Sequence, residues 1–215
     1  MPRNKPITFF IVAHMDDWQL FMNPNVSWEL SNKENKVVFI YTTGNDAGGD
    51  KAFWMANEDA AISSVCFGIS DLLYLDGERE IVNINNHVLH RWCGGNAVCY
   101  FLRLPDGNVT GSGFSSQGYQ SLQKLYRRQI PFIKALDGST IYHGWQDFVN
   151  TLQGSLIMRR AASLLSGLTI PRLIKPSTRA IIQTIEQLVW LFKLFQSTVG
   201  IIIFLISGIT LGIIQ

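Results

Sequence analysis

His14, Asp16 and Asp17 stand together in "IVAHMDDWQLF", immediately behind an apolar run. An imidazole and a carboxylate three positions apart on a tight turn can hold one Zn²⁺, and the aspartate between them stays close without ligating it. Zn²⁺ lowers the pKa of bound water towards about 7 and polarises a carbonyl, while a neighbouring carboxylate takes the water's proton. Amide hydrolysis is the reaction class that follows. The plainer expectation for the same residues is that Asp16 or Asp17 caps a helix beginning at "WQLFM".

The elements that must position these residues are legible as alternating strands and helices. "ITFFIVAH" is a short, nearly continuous apolar stretch, as in a strand buried on both faces, and "NKVVFIYTTGNDAGG" repeats it with a Gly/Asn/Asp turn behind. "WQLFMNPNVSWELSN" between them reads as a helix interrupted near Pro24, and "FWMANEDAAISSVCFGI" has helical spacing. "DLLYLDGERE" begins as a third strand, and "LYRRQIPFIKAL" and "WQDFVNTLQGSLI" read as helices. This alternation implies an α/β fold with a mostly parallel sheet and flanking helices, in which ligands sit beyond the carboxyl ends of the strands. Residues 83–128, rich in Gly, Asn and Ser, are expected as a long surface excursion over those ends.

Composition narrows the function. A net charge of +2 argues against a nucleic-acid footprint. Three cysteines without C-x-x-C spacing read as free thiols in a reducing compartment, so the domain is expected in the cytoplasm. The start, "MPRNKPITFFIVAH", lacks a signal-peptide cleavage pattern. No G-x-G-x-x-G follows the first strand, which argues against a dinucleotide-binding protein. From Leu194 to Gln215 there is no charged residue, a length that suits a membrane anchor.

"VAHMDD" resembles the A-H-P-D-D signature of the LmbE-like or PIG-L de-N-acetylases, and "YTTGNDAGG", "FWMANEDAAISSVCFG", "FLRLPDGN" and "YHGWQDFVNTL" resemble further segments of that family, in family order. The resemblance covers roughly residues 7 to 153. It implies a Rossmann-like fold, one zinc ion, and removal of an acetyl group from an N-acetylglucosamine-type conjugate. It makes His14 and Asp17 zinc ligands, Asp16 the general base, and Asp106 and Arg103 contacts to the substrate. Met15 replaces the usual proline and Trp18 a common acidic residue, substitutions expected to bear on loop shape and pocket lining. Asp106 also suits a plain Pro-Asp-Gly turn, and Thr43, Asn45 and Asp46 suit turn roles at the second strand's end.

The family takes its third zinc ligand from a downstream H-x-D-H element, and nothing of that kind follows Leu152. His87 and His90, in "HVLH", lie upstream of the expected place and read as a surface or lid pair, and His143 falls near the site only incidentally. Residues 165–189 suggest a reason. Ala180 to Ile185 can be written GCG ATC ATC CAG ACC ATC, and the shifted frame spells D-H-P-D-H. Compatible codons extend this shifted reading to "IWINHPETDKTFNPGDHPDHRATG", which resembles the missing segment. The expectation is a deacetylase-like part over 1–153 and a frameshifted, non-family tail over 154–215, incomplete as a fold and with one sheet edge exposed. The alternative function is an inactive truncated homologue that is membrane-tethered or binds sugar only.

Overall fold

The computed structural model describes residues 7–70 and 77–153, together with the backbone of a strand at 202–206. Strand β1 (Ile7–Val12) is followed by two short helices, α1 (Asp17–Phe21) and α2 (Asn25–Ser31), which part at Asn23–Pro24 where a continuous helix would lose a backbone donor. Strand β2 (Lys36–Thr43) leads to the long helix α3 (Lys51–Ser70). Strands β3 (Gly77–Ile84), β4 (His87–Gly94) and β5 (Ala97–Leu104) then run as a meander. A loop carrying a short 3-10 turn (Ser115–Gln117) precedes α4 (Leu122–Tyr126), the hairpin β6 (Phe132–Lys134) and β7 (Ile141–His143), and α5 (Trp145–Gln153).

The main sheet has the order β3-β4-β5-β2-β1-β8, where β8 is Ile202–Ile206. β1, β2 and β5 are mutually parallel, whereas β3, β4 and β8 enter antiparallel. The fold is therefore mixed α/β, and the expectation of a mostly parallel sheet is corrected. The reason lies in two tight turns. Asn85 and Asn86 both take positive φ (52° and 64°), and Gly95 does so at 53°, conformations that suit two-residue hairpins. The chain thus doubles back twice before returning parallel to β2.

The same turns correct the surface excursion expected over 83–128. All eight residues of β5 are buried, as are Leu89, Arg91 and Trp92 of β4. "LYRRQIPFIKAL" is helical only in its first two residues, the end of α4 (Leu122–Tyr126), and then becomes β6 behind Pro131, which lacks a backbone donor. Residues 71–76, the start of the expected third strand, lie outside the described residues.

Each face of the sheet carries a core. Phe9, Val38, Ile40, Tyr100 and Leu102 face Tyr142 and Phe148 of the hairpin layer. Phe10, Phe39, Tyr41, Cys99 and Phe101 face Trp18, Met22, Leu30 and Val65 of the helices. Tyr41 stacks on Phe101 with centroids 5.1 Å apart, and Trp92 lies across the paired glycines Gly77 and Gly94, which leave no room for a Cβ.

Of the expected membrane stretch 194–215, only β8 is described. It pairs antiparallel with β1, Ile7 opposite Ile206, so the outer edge of β1 is covered rather than exposed. The rest of the 154–215 tail lies outside the described residues, and no helix among those described is long and apolar enough to cross a membrane.

Candidate metal and hydrolase site

The turn after β1 is tied from two sides. Thr42 Oγ1 donates to the Val12 carbonyl at 3.1 Å, and Thr43 donates to the Ala13 carbonyl through both its backbone N–H (3.1 Å) and Oγ1 (2.7 Å). From the other side, Asp17 Oδ2 accepts the backbone N–H groups of Ala13 (3.0 Å) and His14 (2.9 Å). These bonds hold His14 at the carboxyl end of the parallel strands β1 and β2.

Asp16 occupies the N-cap position of α1 yet makes no side-chain cap hydrogen bond, so helix capping does not account for its carboxylate. It is exposed, whereas Asp17 is buried. With Oδ2 of Asp17 committed to the turn, Oδ1 lies 3.6 Å from His14 Nδ1. Ligand atoms of His14, Asp16 and Asp17 all fall within 4.8 Å of one another, a span that one ion could bridge.

Asp106 closes the other edge of the imidazole, with Oδ1 3.6 Å from His14 Nε2. Contact with Asp106, then with Asp17, outweighs burial and raises the His14 pKa to about 10. Burial alone would push Asp106 up, but the contact with His14 carries it below the usual carboxylate value. Asp106 Oδ1 also accepts the Asn108 N–H at 3.0 Å, so the Pro-Asp-Gly turn and the approach to His14 coexist. Its own backbone N–H donates to Asp46 Oδ1 at 2.6 Å, and Gly48 N–H donates to Asp46 Oδ2 at 3.1 Å. Asp46 is fully buried, and burial raises its pKa. The turn role expected for it is thus a strut between the loops after β2 and β5.

Arg103 lies elsewhere. Its Nε and Nη2 donate to the two oxygens of Glu58 at 2.6 and 2.8 Å, Nη1 donates to Asp137 at 2.7 Å, and the guanidinium lies 4.9 Å over the Trp54 ring. Asp137 also meets His90 Nε2 at 2.9 Å. Arg103 adopts φ 55°, beside the irregularity where β5 slips against β2. The sequence reading missed Glu58, although its signal was present. Trp54, Ala61 and Val65 are buried on α3 at helical spacing, and Glu58 is the one charged residue on that stripe.

The remaining histidines are engaged away from His14. His87 is buried, bonded to Thr140 Oγ1 (2.8 Å) and Asp147 Oδ1 (2.9 Å) and stacked on Tyr142, which corrects the expectation of a surface pair. His143 is exposed on β7, its backbone N–H donating to Asp147 at 2.8 Å. Met15 and Trp18 are core residues rather than pocket lining, and Trp18 Nε1 donates to Tyr41 Oη at 3.2 Å. No protein-family model matches the chain, and neither a curated protein nor a solved structure shows significant similarity to it.

Proposed function

We propose that the chain is a metal-dependent amide hydrolase of the LmbE/PIG-L kind, acting on the acetamide of an N-acetylglucosamine-type conjugate. The observation that carries this reading is the meeting of Asp17 Oδ1 and His14 Nδ1 at 3.6 Å, with Asp16 in the same group. A nitrogen, a buried carboxylate oxygen and a second, exposed carboxylate form a donor set that suits Zn²⁺. The parallel trio β1, β2 and β5 supports a Rossmann-like core, and the site lies where such cores take ligands.

In this reading His14 and Asp17 hold the ion. Zn²⁺ bound there would supply Lewis acidity towards an acetamide carbonyl and make a nearby water acidic. Asp16, free of capping bonds, takes the proton of the attacking water and returns it to the departing amine. Arg103 is spent within the fold and Asp106 faces His14, so the substrate contacts that the resemblance implies for them require the loops to rearrange.

A second reading, a sugar-binding homologue without activity, is favoured by one observation. Among the described residues His87 and His90 bond to carboxylates elsewhere and His143 is exposed on β7, and none of the three joins the group of His14, Asp16 and Asp17. Metal analysis and an assay decide. The enzyme retains about one zinc per chain and releases acetate from an N-acetylglucosamine conjugate, and Asp16→Ala abolishes release. Zinc-loaded protein without acetate release leaves the binding reading.

A further inference from the structure

We infer that Asp106 and Asp46 form a file of carboxylates behind His14, in which Asp106 receives the Nε2–H, Asp46 positions Asp106, and Nδ1 is left as the nitrogen that meets a metal ion. The inference rests on the metal reading above, and it changes the part played by Asp106 from a substrate contact to a positioning residue.

The argument begins with the ring. An imidazole gives one nitrogen to a metal and uses the other to fix its orientation, commonly by donating to a carboxylate. For His14 the two edges are distinguished by what they face. Nδ1 faces Asp17 Oδ1, which belongs to the metal-ready group with Asp16. Nε2 faces Asp106 Oδ1, which lies outside that group and is separately held by the Asn108 N–H. An ion on the Nδ1 side therefore leaves Asp106 to accept the proton on Nε2.

Asp106 comes from the loop after β5 and His14 from the turn after β1, so something must register one against the other. Asp46 does this. It is fully buried, and its two oxygens accept backbone N–H groups from different loops, Asp106 at 2.6 Å and Gly48 at 3.1 Å. The backbone around it is bent to bring the carboxylate inward, with Asn45 and Ala47 both in the left-handed region at φ 51° and 46°. Such conformations are unfavourable for residues with a Cβ and persist where the surroundings enforce them. Ser116 Oγ donates to the Gly48 carbonyl at 2.8 Å, a second tie between the same loops. Asp46 touches neither ion nor substrate in this arrangement, and its effect passes through Asp106.

Two measurements on the full chain test this. The first is a long-range ¹H–¹⁵N spectrum of the ¹⁵N-labelled wild type loaded with zinc chloride. It should show His14 protonated at Nε2 and metal-bound at Nδ1, and the opposite assignment overturns the inference while leaving the metal site intact. A wild type that takes up no zinc overturns the metal reading and this inference with it. The second is zinc affinity, read by competition with a chromophoric chelator. Removing such an outer partner weakens a site about 10- to 100-fold, and Asp106→Ala should do so. Asp46→Ala should approach the same loss, and the double variant should be no weaker than the worse single one. Asp46→Asn, which keeps an acceptor for the Asp106 N–H, should recover part of the affinity. Equal affinity in all variants, or an Asp46→Ala loss that persists undiminished in the Asp106→Ala background, overturns the positioning role. The nitrogen assignment in the wild type decides even where a variant does not fold.

Discussion

Asp16 and Asp17 are neighbours in sequence and opposites in energetics. Asp17 is buried and accepts two backbone N–H groups, so Asp17→Ala strands both donors and should cost about 2–4 kcal/mol, seen as a lowered thermal midpoint together with loss of zinc. Asp16 is exposed and caps nothing, so Asp16→Ala should leave stability within about 0.5 kcal/mol while abolishing acetate release. His14 sets the pH response of the metal-free protein. Its folded pKa, about 10, lies above the ordinary imidazole value of about 6.5, so its contribution is complete below the latter and is lost as pH rises through the former. Asp106 is depressed, so its share is present above about 4 and is lost as pH falls through its lowered value. The ring is 35 % exposed, which limits the contribution to about 1 kcal/mol. With chelator present, the urea midpoint of wild type relative to His14→Gln should be highest between pH 4.5 and 6.5 and converge by about pH 10.5, and a constant difference across that range would contradict the assignment.

Helix α3 and strand β5 are coupled through one buried charge pair. Arg103→Ala leaves the wholly buried Glu58 with only the more distant Arg79 guanidinium, 3.6 Å away, and should cost about 3 kcal/mol, whereas Arg103→Met with Glu58→Leu should recover most of that loss. Chemical denaturation of the two variants provides the comparison. The pair was legible in part, since Arg103 is the lone charge of β5 and Glu58 the charge on the buried stripe of α3, but a sequence does not say which two such charges meet. The meander was legible as well, in "INNH" and "CGGN", and was obscured because β5 reads as a continuous apolar run like the parallel strands beside it. In contrast, the break at Pro24 and the extent of α3 follow directly from local chemistry. The strut role of Asp46 could not be read from its turn-like neighbours, because its partner N–H lies 60 residues further along. At Gly94, where any Cβ would meet the Trp92 ring at 2.4 Å, Gly94→Ala should cost about 1–3 kcal/mol and shift the tryptophan emission.

At the scale of the molecule, β1 joins the start of the chain to residues near its end. β8 supplies the partner that covers the outer edge of β1, so a chain ending at residue 153 should expose a row of unpaired backbone groups and aggregate where the full chain does not, as light scattering would report. The nucleotide sequence across codons 150 to 215 tests the origin of the tail: a shifted frame that fails to encode H-P-D-H removes the frameshift explanation. The site itself joins parts of unequal durability. His14 and Asp17 lean on β2, a strand buried along nearly its whole length and paired on both sides, while Asp106 sits at the root of the largely polar loop 105–121. Amide protons in β2 should therefore exchange only on global unfolding, and those of the loop through small local openings. In time, the two edges of one imidazole should then belong to different clocks: the Asp17 side lasting as long as the fold does, the Asp106 side opening whenever the loop does.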